Sequence, residues 1–428
     1  MREMKDSGIE WIGEIPNEWN MLPVKRFFRN EKKIVGSAVD EYERLALTMN
    51  GVIKRSKDDS EGLQPEKFEG YQILKKNELV FKLIDLENVK TSRVGLSPYT
   101  GLVSPAYIVI TNDKEDNRFY YYWFMFMYYN EVFNHLGGEG VRSALNAKDV
   151  LSLPVPAINE AMMKNIADYL DRKCEKIDDI IEKQKQVIEK LKEYKLSIIT
   201  EAVTKGLNPD VKMKNSGVEW IGGIPEKCKV TRAGHIYNIT LGKMLSPTPK
   251  QDNDTLEKYL CAANVHFTGI SYEPLKQMWF SETEKSIYEV KYGDLLVVEG
   301  GAGAGGSYIV DVNLNDCYIQ NSIMIVRSNG RVSNKWLYYT LYTLVKRNYI
   351  DFVCNKATIP HFTKDKLGNV PVVIFPKVDE TNIITYLDKK CSAIDKAIEK
   401  KQAIIDKLTE YKKSLIYEVV TGKRECLE

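Results

Sequence analysis

Two stretches of this chain place apolar residues at alternating steps of four and three. In the first, Leu170, Cys174, Ile177, Ile181, Ile188, Leu191 and Ile198 lie on the stripe; 217 positions on, Leu387, Cys391, Ile394, Ile398, Ile405, Leu408 and Leu415 repeat it. That spacing puts one apolar face on a long helix and asks for a coiled-coil partner. Each segment covers about 45 residues, so each helix should be on the order of 65 Å long at the roughly 1.5 Å rise per residue. The other faces are dense in Glu, Asp and Lys, as on a solvated surface. Both copies interrupt the stripe at matching places, Gln184/Lys401 and Lys195/Lys412. A polar residue in a seam can pin register, or its head can simply snorkel at the seam edge. Cys174 and Cys391 read as small buried apolar residues. The two helices could pair within one chain or each across a homodimer.

The repetition goes further. Asn165–Thr204 and Asn382–Thr421 agree at 23 of 40 positions, and Lys5–Pro16 (KDSGIEWIGEIP) matches Lys214–Pro225 (KNSGVEWIGGIP) at 9 of 12. Between these repeats lie two blocks of similar size and little identity, 17–157 and 226–375. Each block has a strand-like run after a polar turn, at Asn77–Phe81 and Gly293–Val297. Each later has an aromatic helix-like segment, from Asn117 and from Asn334, and a Pro-containing exit at Leu153–Pro156 and Val370–Val372. The run Phe119–Phe133 is the most apolar, but it carries five tyrosines. It is also shorter than the roughly 20 residues of a membrane-spanning helix, so it reads as a buried helix. A scaffold written twice around diverged inserts suggests that the scaffold holds geometry and the inserts hold specificity.

Composition narrows the chemistry. Formal net charge is only +2, with Lys+Arg against Asp+Glu at 19 to 19 over residues 17–150 and 16 to 14 over 226–365. A strong basic excess, the usual footprint of a nucleic-acid binder, is missing. Seven scattered cysteines without a C-x-x-C pair argue against a disulfide framework and fit a reducing cytoplasm. The opening Met-Arg-Glu-Met-Lys-Asp carries no apolar signal segment, and a cytoplasmic location is expected. Glu299–Ser307 (EGGAGAGGS) satisfies G-x-G-x-x-G, but strand-like Ser307–Val312 follows instead of a helix. A glycine turn between strands fits better than a dinucleotide loop. The chain has no G-x-x-x-x-G-K-[ST] loop, and His135, His235, His266 and His361 lack companions at metal-ligand spacing. Neither the carboxylate cluster of a nuclease nor the Asp/Asn-Pro-Pro-aromatic tetrapeptide of an amino-methyltransferase is present. No catalytic residue, metal site or cofactor is assigned to the chain itself; it reads as a binding and assembly protein.

These residues resemble the specificity (S) subunits of type I restriction–modification systems over essentially the whole chain. The resemblance is carried by SGxEWIGxIP at Ser7–Pro16 and Ser216–Pro225. It is carried also by YLD-x-K-C-x-x-I-D from Tyr169 and Tyr386, and by the EYK-x-S-x-I-x-E-x-V-T helix endings. The block-closing loops Gly140–Asn146 and Ala357–Phe362 belong to it too. The resemblance implies an α+β fold: a pseudo-two-fold tandem of two mixed α/β target-recognition domains separated by two long helices that form an antiparallel coiled coil. The blocks would be 1–157, 158–213, 214–375 and 376–428, alternately recognition domain and conserved helix. Each recognition domain would read one half of a bipartite double-stranded DNA site, with the helices setting the spacer. Two methyltransferase (M) and two restriction/translocase (R) subunits would dock, and S-adenosylmethionine, ATP and Mg²⁺ would belong to them; no membrane is involved. Base readout needs polar side chains that reach base edges. The expected contacts are Lys82, Lys90, Arg93, Arg142, Ser143, Asn355, Lys356, Thr358 and His361, with the Glu299–Ser307 turn beside them. That turn lacks the Arg that such loops often carry after the glycines. The rival expectations are a stand-alone DNA-binding regulator and a coiled-coil scaffold with two protein-binding heads.

Overall fold

The aromatic run forms a helix, as its composition predicts. In a computed structural model that describes residues 2–49, 51–59, 67–84, 93–136, 144–354 and 360–426, it is α1 (Arg118–Tyr129). Next come α2 (Val132–His135), α3 (Ala147–Ser152) and the long α4 (Glu160–Lys205). The second half adds α5 (Glu282–Tyr288), α6 (Asn334–Lys346), α7 (Tyr349–Val353), α8 (Lys364–Gly368) and the long α9 (Lys377–Val420). The long helices run for 46 and 44 residues, close to the length their periodicity requires. Gly206 ends the first and Gly422 stands two residues past the second, at φ +82° and +73°, a left-handed conformation that glycine takes without strain. Among the described residues no helix is long and apolar enough to cross a membrane.

The chain divides into two compact units, and the division cuts both long helices. One unit is Met1–Lys185 with Gln402–Glu428; the other is Gln186–Lys401. The sequence blocks had separated heads from helices, whereas each unit is a head together with a stretch of each helix. The reason is burial: neither apolar stripe is covered until a second helix and a head helix pack on it. In the first unit Cys174 and Ile177 share a core with Leu415, Val419 and Trp123. In the second, Ile198 and Ala202 share one with Leu387, Cys391 and Trp336. Every seam residue expected from the pattern is buried or half-buried.

Within each unit the two helix stretches run antiparallel. In the first, Lys412 reaches Asp178, while Cys426, beyond the end of α9, lines one depression with Asn165, Asp168 and Arg172 near the start of α4. In the second, Lys195 reaches Asp395, while Tyr386 lies beside Ile198–Lys205. Pairing is therefore intramolecular, which settles the choice the periodicity had left open.

The heads share one topology despite their low identity. The first has a three-stranded sheet ordered 108–110, 79–81, 94–96, and the second repeats it as 323–328, 295–298, 307–309, with 237–241 added at the edge. The other sheet of the first head pairs 44–48 antiparallel with 51–55 and parallel with 101–103. Its counterpart pairs 255–260 antiparallel with 276–280 and parallel with 317–319. Turn residues Asn77 (φ +68°) and Gly293 (φ +83°) enter the matching strands, and the Asn117 and Asn334 side chains each donate to that turn's carbonyl, at 2.8 and 2.7 Å. The repeated SGxEWIGxIP segments are hairpins, Met4–Asp6 with Glu14–Pro16 and Met213–Asn215 with Gly223–Pro225.

Candidate nucleic-acid interface

The residues expected to touch DNA fall on four segments, Lys82–Arg93, Glu139–Ser143, Glu299–Ser307 and Asn355–His361, which form two topologically equivalent pairs. One member of each pair connects matching strands: Lys82–Arg93 in the first head and Glu299–Gly306 in the second. The strand ends close alike, with the Lys82 amide donating to the Arg93 carbonyl at 3.0 Å and the Val298 amide to that of Gly306 at 2.8 Å. The other member precedes α3 or α8. Its root is tied to the first segment by one backbone bond in each head: the Leu145 amide to the Leu83 carbonyl at 2.9 Å, and the Phe362 amide to that of Glu299 at 2.6 Å. Buried Leu145 and Phe362 fix these junctions. A bridge between Gly300 and His361 adds to the second. Segments some sixty residues apart in sequence thus share one root in each head.

The individual candidates divide sharply. Lys90, Arg142, Ser143, Asn355, Lys356 and Thr358 lie outside the described residues. Lys82 is half-buried and His361 is exposed, both at the shared roots. The His361 carbonyl accepts from Lys366 Nζ at 2.6 Å and from the Cys354 thiol at 3.1 Å, which ties down the strand that carries the ring. Lys366 escaped the sequence reading because a lysine early in a short helix carries no distinguishing pattern.

Arg93 departs from the expectation of an exposed contact. It is 2% exposed, and its Nη1 donates to Asn134 Oδ1 at 3.0 Å while Nε and Nη2 have no partner among the described residues. A buried arginine is held by the structure before it is available to anything else. The glycine turn is also less open than its composition suggests. A Cβ on Gly305 would meet Val345 and Ile350 side chains at 2.8 and 2.9 Å, and one on Gly306 would meet the Gly303 carbonyl at 2.8 Å. Glycine there permits close packing on α6 and α7, and only Ala302 and Gly303 are exposed.

Each head is bound to its long helix through the aspartate of the YLD motif. Tyr122 donates to Asp171 Oδ1 at 2.6 Å and Arg118 to its other oxygen at 2.6 Å. In the second unit Tyr339 donates to Asp388 at 2.7 Å and Lys335 does so at 2.6 Å. Burial and the neighbouring carboxylate push both phenols far above their ordinary range, so they remain protonated donors. These anchors were missed as contacts although Arg118/Lys335, Tyr122/Tyr339 and Asp171/Asp388 all stand at the repeat spacing of 217. The repeat spacing was the signal.

The same duplicated plan is found in a solved chain described as "Structural basis underlying complex assembly and conformational transition of the type I R-M system". It covers 96% of this chain and 99% of that one, with a TM-score of 0.67 at 13% identity. The chain thus shares its fold with a chain of a type I restriction–modification system. Two further chains align at 13% identity: the HsdS subunit from Thermoanaerobacter tengcongensis (96% and 98% covered, TM-score 0.47) and the type I S subunit from M. genitalium (97% and 99%, TM-score 0.39). No protein-family model matches the chain, and no curated protein matches it.

Proposed function

We propose that this protein is the DNA-sequence-reading subunit of a type I restriction–modification complex, with no catalytic centre of its own. Each head reads one half of a bipartite site through its paired loop segments, and the long helices set the spacer between halves. Methylation and cleavage belong to two M and two R subunits, which carry S-adenosylmethionine, ATP and Mg²⁺. The observation that supports this most directly is the shared loop root, built identically in two heads whose surfaces have otherwise diverged. Base readout wants several polar side chains delivered to one groove from a rigid frame. Both heads are near charge balance, so much of the phosphate neutralisation that drives binding falls to the partners.

The test is a head exchange in the assembled complex. Residues 17–157 are replaced by the matching block of a diverged relative, and adenine methylation is mapped genome-wide. One half-site should change and the other remain. Joint loss or joint change of both halves would overturn the two-reader assignment.

A further inference from the structure

The Phe352 side chain is 86% exposed, more than any other large apolar side chain among the described residues. A single apolar residue on a surface is ordinary; what distinguishes this one is the helix that holds it. α7 leaves α6 at Asn348, whose φ is +59°, and buries Ile350 on its inner side. There it is clamped to both reading segments of the second head. Gly305 of the Glu299–Ser307 turn packs so closely that a Cβ on it would stand 2.9 Å from Ile350. At the far end the Cys354 amide donates to the Ile350 carbonyl at 2.8 Å, and the Cys354 thiol to the His361 carbonyl at 3.1 Å. A short helix fixed on both sides thus carries a bare aromatic ring on the frame that the two segments share.

The charge nearby suits a polyanion. The end of α6 and the start of α8 carry Lys346, Arg347, Lys364 and Lys366, opposed by Asp351 and Asp365. Lys366 Nζ lies 3.5 Å from the Cys354 sulfur, so α8 brings its charge to the end of α7. Cations of this kind hold a duplex close through its phosphates. An apolar side chain that then enters between two base pairs unstacks them and bends the duplex. The first head repeats the device with a different ring. Glu131, 217 positions before Asn348, has φ +55° and opens α2, and His135 is exposed at the place of Phe352. An imidazole must shed its hydration to enter a base stack, and a phenyl ring need not.

We propose that Phe352 is a wedge: it enters between two base pairs beside the half-site that the second head reads, unstacks them and bends the duplex there. The first head has no such wedge. This rests on the assignment of both heads as DNA readers.

The test uses the assembled complex on its mapped site. Exchange of residues 17–157 identifies the half-site that stays unchanged as the one read by the second head. Energy transfer between labelled duplex ends reports the bend, and 2-aminopurine placed in turn at each adenine of both halves reports unstacking. A bend is expected, with enhanced 2-aminopurine emission confined to the second head's half. Phe352→Ala should remove both and weaken binding by about tenfold, the order of one base–aromatic stack. Phe352→Leu, still an apolar wedge, should keep most of each. The ring is exposed, so an unaltered thermal melt will show that the fold survives the alanine. An undistorted duplex, or distortion that Phe352→Ala leaves in place while the same sequence is still methylated, overturns the wedge and leaves the two-reader assignment standing. Weaker assembly with the partner subunits in the absence of DNA, measured by native mass spectrometry of Phe352→Ala, would give the ring to a protein interface and overturn it as well. Failure of the assignment itself looks different: the exchange of residues 17–157 then changes both halves.

Discussion

Lys195 and Lys412 occupy equivalent places in the repeat, and the two units surround them differently. Both ammonium groups bond an aspartate on the antiparallel helix, Asp395 and Asp178. Moving along α4 from Asp178 to Lys195 is matched by moving back along α9 from Lys412 to Asp395. The two separations are equal, and these two of the polar interruptions in the stripe, Lys195 and Lys412, act as register pins. The surroundings diverge at the head. Lys195, with 11% of its side chain exposed, lies over Tyr342; Lys412, 21% exposed, borders a tyrosine-lined cavity beside Met125. The helix–helix contact has been kept in both copies, while the helix–head contact has been free to change.

If the units are equivalent at the core, the largest effects should be equal in both. Trp123 and Trp336 are fully buried, and each indole N–H donates to a carbonyl of the strand leaving the head, Pro154 at 3.0 Å and Val373 at 2.9 Å. Trp123→Ala and Trp336→Ala should each cost about 3–5 kcal/mol. Hydrogen exchange followed by mass spectrometry should find the lost protection confined to the substituted unit. Loss of protection in both units from either substitution would show one cooperative body in place of two.

The helix ends should separate the units more. Alanine in a left-handed conformation costs about 1–2 kcal/mol at either Gly206 or Gly422. At Gly422 its Cβ would also stand 2.5 Å from the Pro16 ring, whereas at Gly206 the nearest atom is on Phe375 at 2.9 Å. A proline ring anchored in a hairpin yields less than a phenylalanine side chain. Gly422→Ala should therefore lower the denaturation midpoint further than Gly206→Ala; the reverse order would contradict the packing.

The helices were legible because a 4-3 stripe leaves few alternatives over ten turns, and the duplication was legible because Asn165–Thr204 and Asn382–Thr421 still agree. The pairing was not, since a stripe states that something covers it without saying what. The compact units cut across the block boundaries for the same reason: Ile177 and Leu415 are distant in sequence and share a core. For the candidate interface, the loops were expected from the family resemblance and from what base readout needs, and the structure ties their roots together. Individual side chains were harder. Arg93 had every property of a contact residue except exposure, and exposure depends on what packs above a strand end.

The smallest effects test the opening comparison most finely. Lys195→Met removes charge-assisted bonds and a cation–π contact and should cost about 1–2 kcal/mol. Lys412→Met should cost less than about 1 kcal/mol, because its pair is more exposed. Exchanging the charges then isolates the ring. In the first unit, Lys412→Asp with Asp178→Lys restores the ion pair between the helices, so stability should return to within a few tenths of a kcal/mol, roughly the error of such additivity arguments. In the second, Lys195→Asp with Asp395→Lys restores the ion pair but moves the ammonium off Tyr342, leaving a deficit of about 0.5–1 kcal/mol. Adding Tyr342→Leu to the exchanged pair should then cost no more than its packing, whereas in the native background it should cost the cation–π contact as well. Denaturation midpoints of the native protein and these six variants measure this directly. Equal recovery in both units would mean that Tyr342 only fills space beside Lys195, and the divergence at this joint would carry no electrostatic meaning.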